Sequence, residues 1–228
     1  MQEKDTSAGP VCWVLSDIGY YHDARISALA GISGNPVHII EVGGRSGFSE
    51  FKAGKKVPRD YTVHTLFPGK NHEDVSTTAM MAEIPAMLDR ISPSVVCIHG
   101  WSLRLSLVAL EWSIARGIPR IVVSESQEHD IVRSSLKESV KKMVISQFSA
   151  GLVGGKPHAE YLEKLGMPVE RIFKGYDVVD NGYFLNGAEK VRRNADAVRK
   201  ELSLPDRYFL ASSRLVKRKN VGAVVRAY

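Results

Sequence analysis

Short apolar runs rich in β-branched residues alternate along this chain with stretches of helical period. Val11 to Ser16 is an apolar run without polar alternation, the pattern of a strand buried on both faces. Asp23 to Ala30 predicts a helix, with Gly31 as its stop. Val37 to Val42 and Tyr61 to Phe67 predict the next strands, separated by a Gly- and Lys-rich loop. From Val75 to Ile91, Met80, Ile84, Met87, Leu88 and Ile91 fall on one helical face, with Pro85 inside as a point of kinking. Ser94 to His99 predicts a strand, and Leu105, Val108, Ala109 and Trp112 the inner face of the helix after it. That helix closes at Arg116-Gly117-Ile118-Pro119, a basic turn followed by Gly and Pro.

Arg120 to Ser124 predicts another strand. Ser135 to Phe148 predicts an amphipathic helix, its apolar side Leu136, Val140, Met143, Val144 and Phe148 opposed by Lys137, Lys141 and Lys142. Gly151 to Val153 follows as a short strand, and Pro157 opens a helix that closes at Leu165-Gly166-Met167-Pro168. Strands alternating with helices, without hairpin signals, predict an α/β fold with a doubly wound, mostly parallel Rossmann-like sheet. Asp177 to Phe184 breaks the rhythm with the turn-forming Asp180-Asn181-Gly182. A charged helix over Glu189 to Glu201 follows, then a strand at Tyr208 to Ser212 and a helix from about Asn220. The expected organisation is one α/β domain over residues 1–180. Residues 181–228 would hold a linker and the first βα unit of a truncated second α/β domain.

Composition narrows the classes. With 44% hydrophobic and 25% charged residues in a chain of 228, disorder and low complexity are excluded. The longest apolar run, Val11 to Leu15, is far below the ~20 residues of a membrane span, and Met1 to Pro10 lacks the apolar core of a secretory signal. Two cysteines, Cys12 and Cys97, both in strand-like runs, are too few for a disulfide framework and suit a reducing, cytoplasmic setting. A net charge of +6 suits a phosphate-bearing ligand, an anionic membrane or nucleic acid. The cations are scattered and lack a stacking array of aromatics, which argues against nucleic acid.

Three motifs fail on their chemistry. Ala150 to Pro157 lacks the first Gly and the metal-binding hydroxyl of a phosphate loop. Gly43-Gly44-Arg45-Ser46-Gly47 lacks dinucleotide spacing, and His158-Ala159-Glu160 lacks the downstream cysteine pair of a zinc deaminase. No metal site is expected.

Four places remain, each following a predicted strand, where open α/β sheets put their ligands. Ser16 to Arg25 leads through Gly19 into a helix N-terminus, either an anion site or a plain cap with two packed tyrosines; Asp23 would compete with an anion there. His99, beside Gly100 at a strand end, is either a proton donor and acceptor or a half-buried structural histidine. Ser124 to Asp130, with Arg133 beyond, is either a functional loop or an acid-rich helix start. Ser212 to Asn220 carries Arg214, Lys217, Arg218 and Lys219, either a diphosphate site or a solvated basic loop.

The stretch Ala211-Ser212-Ser213-Arg214-Leu215-Val216-Lys217-Arg218-Lys219-Asn220 resembles the first strand-loop-helix of the C-terminal domain in glycosyltransferase family 4, of GT-B fold. Arg171 to Phe184 resembles the segment that leaves that family's N-terminal domain, and Gly151 to Pro157 the strand and loop before it. Together they span essentially the whole chain. The resemblance implies transfer of a sugar from a nucleotide-sugar donor to an acceptor hydroxyl, with retention, without a metal and without a cofactor. The acceptor would be a glycan or glycolipid of cell-surface polysaccharide type. It implies that Arg214, Lys219 and Gly19 meet the donor diphosphate, and that His99 serves catalysis. His22, Arg25, Glu128, His129, Asp130 and Arg133 would line the acceptor side. The family's paired glutamates would fall beyond Tyr228, so this stretch alone is expected to be inactive. The expected location is cytoplasmic, peripheral at the inner face of the cell membrane, with the basic helix Ser135 to Phe148 on an anionic surface. The rivals are a GT-B sugar-nucleotide epimerase and a non-catalytic binding homologue.

Overall fold

The computed structural model describes residues 9–44, 60–130, 134–213 and 215–228. Seven strands form one sheet, β1 (Val11–Leu15), β2 (Val37–Gly43), β3 (Thr62–Phe67), β4 (Val95–His99), β5 (Arg120–Ser124), β6 (Ala150–Val153) and β7 (Ile172–Lys174). Their order is β3-β2-β1-β4-β5-β6-β7, and every neighbouring pair is parallel. Parallel strands covered on both faces have no solvent side, which is why β1 reads as unbroken apolar sequence.

Alternate residues of the strands feed two cores. Cys12, Val14, Ile40, Ile98 and Val122 point to one face. Against them pack α2 (Thr77–Ile91) through Met80, Ile84 and Leu88, α3 (Arg104–Ala115) through Leu105, Ala109 and Trp112, and α5 (Lys156–Lys164) through Tyr161 and Leu162. Trp13, Leu15, Ile39, Cys97 and Val123 point to the other face, with Ile26 of α1 (Tyr20–Ser33) and Tyr176. The sheet is therefore doubly wound, as the alternation of elements predicts.

Several local expectations are corrected. Gly31 lies inside α1, and the helix stops at Gly34, whose φ of 68° is the left-handed conformation that ends helices. Pro85 does not break α2, which runs unbroken behind a Ser76 cap whose hydroxyl accepts from the Ala79 amide at 3.2 Å. The segment after α5 contributes β7, at three residues too short to stand out by periodicity.

The helix α4 (Ser135–Ile145) is shorter than expected, and only part of its expected apolar side is packed. Val144 packs on the core beside Ile145, and Phe148 just past the helix is buried, together with half-buried Glu138 and Lys141, while Leu136, Val140 and Met143 are exposed. Lys141 Nζ donates to Glu138 at 2.7 Å and to the Tyr161 hydroxyl at 3.0 Å, and that hydroxyl donates to Glu138 Oε2 at 2.9 Å. A closed trio around buried Tyr161 satisfies the two charges, which makes a polar inner face tolerable.

The chain divides into two compact units at Asp180/Asn181. The second holds α6 (Asn181–Arg193), α7 (Ala195–Glu201) and α8 (Val221–Ala227). The turn-forming stretch around Asn181 is thus a helix start, and the expected helix over Glu189 to Glu201 is two helices. The expected strand at Tyr208 to Ser212 is not formed: these residues pair with no other strand, and Phe209 and Leu210 are exposed. Strand propensity alone does not make a strand, because the backbone must hydrogen bond to a neighbour.

Candidate functional site

In the order β3-β2-β1-β4-β5-β6-β7 the chain winds one way from β1 and the other way from β4. The crevice beyond the carboxyl ends of β1 and β4 is the topological switch point, the usual ligand position of open α/β sheets.

The loop leaving β1 is fixed from below. Glu41 of β2 is 4% exposed, and its carboxylate accepts from the Ile18 amide at 2.9 Å and the Thr65 hydroxyl at 2.7 Å. Gly19 then caps α1 with extended backbone, and a Cβ placed there would meet nothing within 4 Å. The space before this helix N-terminus is open. Asp23 is engaged elsewhere, since its carboxylate accepts a hydrogen bond from the Tyr61 hydroxyl. Tyr20 and Tyr21 are half-exposed rather than packed.

One turn into α1, His22 meets His99 at the end of β4. Their rings are 5.2 Å apart edge to face. The Tyr176 hydroxyl lies 2.8 Å from His22 Nδ1, and the Tyr176 ring stacks on Trp13 of β1. Burial, the His99 ring and Arg25 together push the His22 imidazole down to about 4. Burial and Arg25 lower His99 as well. Burial raises the Tyr176 phenol to about 12. The cluster is therefore two neutral imidazoles and a neutral phenol at neutral pH.

Arg25 is a strut. Its guanidinium lies 4.4 Å over the Tyr176 ring, its Nε donates to the Val178 carbonyl at 2.8 Å, and one terminal nitrogen donates to Asp177 at 2.6 Å. The other terminal nitrogen is 3.8 Å from Glu125. With its donors directed at protein groups, Arg25 holds the segment after β7 against α1.

Of the residues singled out in the sequence, His22, Arg25 and His99 come together, with Gly19 at the start of the same helix. Glu128, His129 and Asp130 form a 3₁₀ turn apart from them. Glu128 pairs with Lys164 of α5, and Asp130 accepts from the Gln127 amide at 2.9 Å. Lys219 is exposed at the end of a 3₁₀ turn in the second unit. Arg133 and Arg214 lie outside the described residues. Sequence reasoning missed Tyr176 and Asp177, and marked Glu125 only as part of the Ser124 to Asp130 loop. The signal for Tyr176 was Gly175-Tyr176 after a short strand, where both amides donate to the Val153 carbonyl. Among the described residues, no group of three His, Cys, Asp or Glu could hold a metal ion.

Fold and crevice define a Rossmann-like α/β protein with His22, His99 and Tyr176 gathered at the switch point of its parallel sheet. No protein-family model matches the chain, and no curated protein matches it. Among solved structures, UDP-N-acetylglucosamine 2-epimerase from Rickettsia bellii is similar over 97% of this chain and 60% of its own, at 15% identity and a TM-score of 0.58. The UDP-GlcNAc 2-epimerase from Neisseria meningitidis, bound to UDP-GlcNAc, is similar over 86% of this chain and 54% of its own, at 11% identity and a TM-score of 0.53. A lipopolysaccharide outer core galactosyltransferase is similar over 72% of this chain and 44% of its own, at 12% identity and a TM-score of 0.43. This chain spans less than two thirds of the length of each. At such identities the likeness is one of fold, the GT-B architecture.

Proposed function

We propose that this chain belongs to a nucleotide-sugar enzyme of GT-B architecture, with the sugar handled in the crevice beside His22 and His99. The observation that supports this most is the convergence of two neutral imidazoles and Tyr176 at the switch point. In the first reading the reaction is glycosyl transfer. The bond from the anomeric carbon to the diphosphate breaks, and a bond to the acceptor hydroxyl oxygen forms. The acceptor proton passes to the departing phosphate or to a neutral imidazole. Negative charge grows on the diphosphate, and Arg214 and Lys219 of the basic segment are assigned to offset it, with Gly19 bordering it. Fixed cations at such a position contribute about 3 kcal/mol of transition-state stabilisation. An Arg214→Ala variant should lose about that much.

The second reading is epimerisation of a UDP sugar at C2, favoured by the names of the two more similar structures. It requires a group to take the C2 proton as the C1–O bond to UDP breaks, which leaves a double bond between C1 and C2. A proton then returns to C2 on the opposite face as UDP adds back at C1. A neutral imidazole can accept the first proton, though burial makes it a weaker base than a free one.

Incubating the full-length protein with UDP-GlcNAc, with and without glycan acceptors, separates the two. An acceptor-dependent glycoside with released UDP supports transfer, and the C2 epimer formed without acceptor supports epimerisation. His99→Ala should lower turnover more than tenfold and leave the melting temperature within a few degrees. A purely structural histidine would instead cost about 1 to 3 kcal/mol of stability with turnover retained. Absence of both products and of UDP-sugar binding overturns the proposal.

A further inference from the structure

The strand β3 stands at an edge of the sheet, and a pair of histidines bridges it to β2. Thr62 pairs with His38 and His64 with Ile40, so His38 and His64 are diagonal neighbours on one face of the sheet. That face carries α2, and Ile40 and Val42 are buried on it, yet both histidines stay partly exposed. His38 Nδ1 and His64 Nε2 are 3.0 Å apart. The ring centroids are 5.3 Å apart with planes 12° from parallel, so the imidazoles meet end to end. His38 lies at the amino end of β2, remote from the crevice beyond the carboxyl ends.

Burial disfavours the charged form of both rings, and for His64 the His38 ring and Arg90 of α2 act the same way. The pair is therefore neutral at neutral pH. With N–H on His38 Nε2 and His64 Nδ1, both facing nitrogens offer a lone pair. Neutral imidazole nitrogen is the commonest metal ligand among side chains. Two nitrogens bound at about 2.0–2.1 Å to one ion are about 2.9 Å apart at a right angle and about 3.4 Å apart at the tetrahedral angle. The observed 3.0 Å falls inside that range. Turning each ring about its soft Cβ–Cγ torsion brings the lone pairs onto one point without moving the strands.

We propose that His38 and His64 chelate one transition-metal dication of the Zn²⁺ type, clipping the edge strand β3 to β2. Water fills the remaining positions, since no third His, Cys, Asp or Glu joins the pair among the described residues. Arg90, exposed near His64, opposes the ion as it opposes a proton and keeps the affinity moderate. The site depends on the pairing of β2 with β3 and holds whichever reaction the crevice performs.

The test is calorimetric titration of the untagged, metal-free 228-residue chain with Zn²⁺ or Mg²⁺, with melting temperatures read alongside. Zn²⁺ should bind one to one and raise the melting temperature by about 3 to 6 °C at a tenfold excess over Kd, because only the folded chain brings the two rings together. Mg²⁺, which prefers oxygen ligands, should do neither. His38→Gln and His64→Gln should each weaken Zn²⁺ binding at least tenfold and abolish the shift. Arg90→Gln should strengthen binding severalfold, and His72→Gln should leave it unchanged. Imidazole resonances of the unaltered chain read the site without any substitution, and those of His38 and His64 should move first as Zn²⁺ is added. Absence of saturable Zn²⁺ binding below about 1 mM overturns the proposal. So does binding that survives both histidine changes or leaves those two resonances in place.

Discussion

The hydroxyl of Tyr176 and Nδ1 of His22 are 2.8 Å apart, a hydrogen bond between residues 154 positions apart in the chain. It joins the segment after the last strand to the helix after the first. Tyr176→Phe keeps the ring stacked on Trp13 and removes the hydroxyl's contacts with His22 and Arg25, so stability should fall by about 1 to 2 kcal/mol in urea unfolding. The His22 ring should lose its fixed orientation, visible as a shift of its imidazole resonances. An unchanged His22 spectrum would show that Tyr176 does not orient it.

Stability should depend on acid through the buried histidines. Folding holds His22 neutral down to about 4, against an ordinary value of 6.5. Between those values the unfolded chain takes up a proton that the folded chain refuses. The stabilisation is therefore complete above about pH 6.5 and is lost as the pH falls towards 4. For His22 the loss amounts to about 3 kcal/mol. His99 shifts the same way, as do His38 and His64, which pair across β2 and β3 at 3.0 Å. Melting temperatures from pH 7.5 to 4.5 should fall steadily, and His22→Gln should flatten the slope. A flat profile for the unaltered protein would contradict the burial of these rings.

Glu41→Ala should destabilise the protein by about 2 to 4 kcal/mol, since it strands the buried Ile18 amide and the Thr65 hydroxyl. Glu41→Gln keeps one acceptor and should cost less than half as much. Equilibrium unfolding in urea ranks the pair. If both cost the same, the acceptor that glutamine keeps carries no weight.

Two glycines, Gly43 at the end of β2 and Gly19 before α1, should respond differently to alanine. At Gly43 a Cβ would lie 2.6 Å from the Lys70 carbonyl oxygen and 2.9 Å from the His72 amide nitrogen, both backbone atoms that cannot step aside. Gly43→Ala should cost about 1 to 3 kcal/mol. Gly19→Ala meets open space and should leave the melting temperature unchanged. A fall in nucleotide-sugar affinity for Gly19→Ala without loss of stability would support a ligand lying against that turn.

The strands and most of the helices were legible in the sequence because their causes are local. A buried parallel strand must be continuously apolar, and a packed helix must repeat its apolar positions about every 3.6 residues, so Val11 to Leu15 and Met80, Ile84 and Leu88 declare themselves. His22, Arg25 and His99 could be singled out because the loops after strands are where such folds keep their chemistry. Their convergence could not, since β1 and β4 become neighbours only when the sheet closes over residues far apart in the chain.

Tyr176 and Asp177 join the site through that same closure, and the sequence marks them only by the Gly175-Tyr176 pair after a short strand. The orientation of α4 was likewise a tertiary decision. Its sequence offers one apolar and one cationic side, and in the fold Val144 packs inward together with Glu138 and Lys141, whose charges are met by each other and by Tyr161. The stretch Tyr208 to Ser212 shows the reverse limit. Its composition suits a strand, but a strand is a relation between two backbones, and no described strand pairs with it. Period and composition are properties of a segment, and the sequence by itself determined the elements that depend on them. Orientation, pairing and site assembly depend on what each segment meets, and only the tertiary structure decided them.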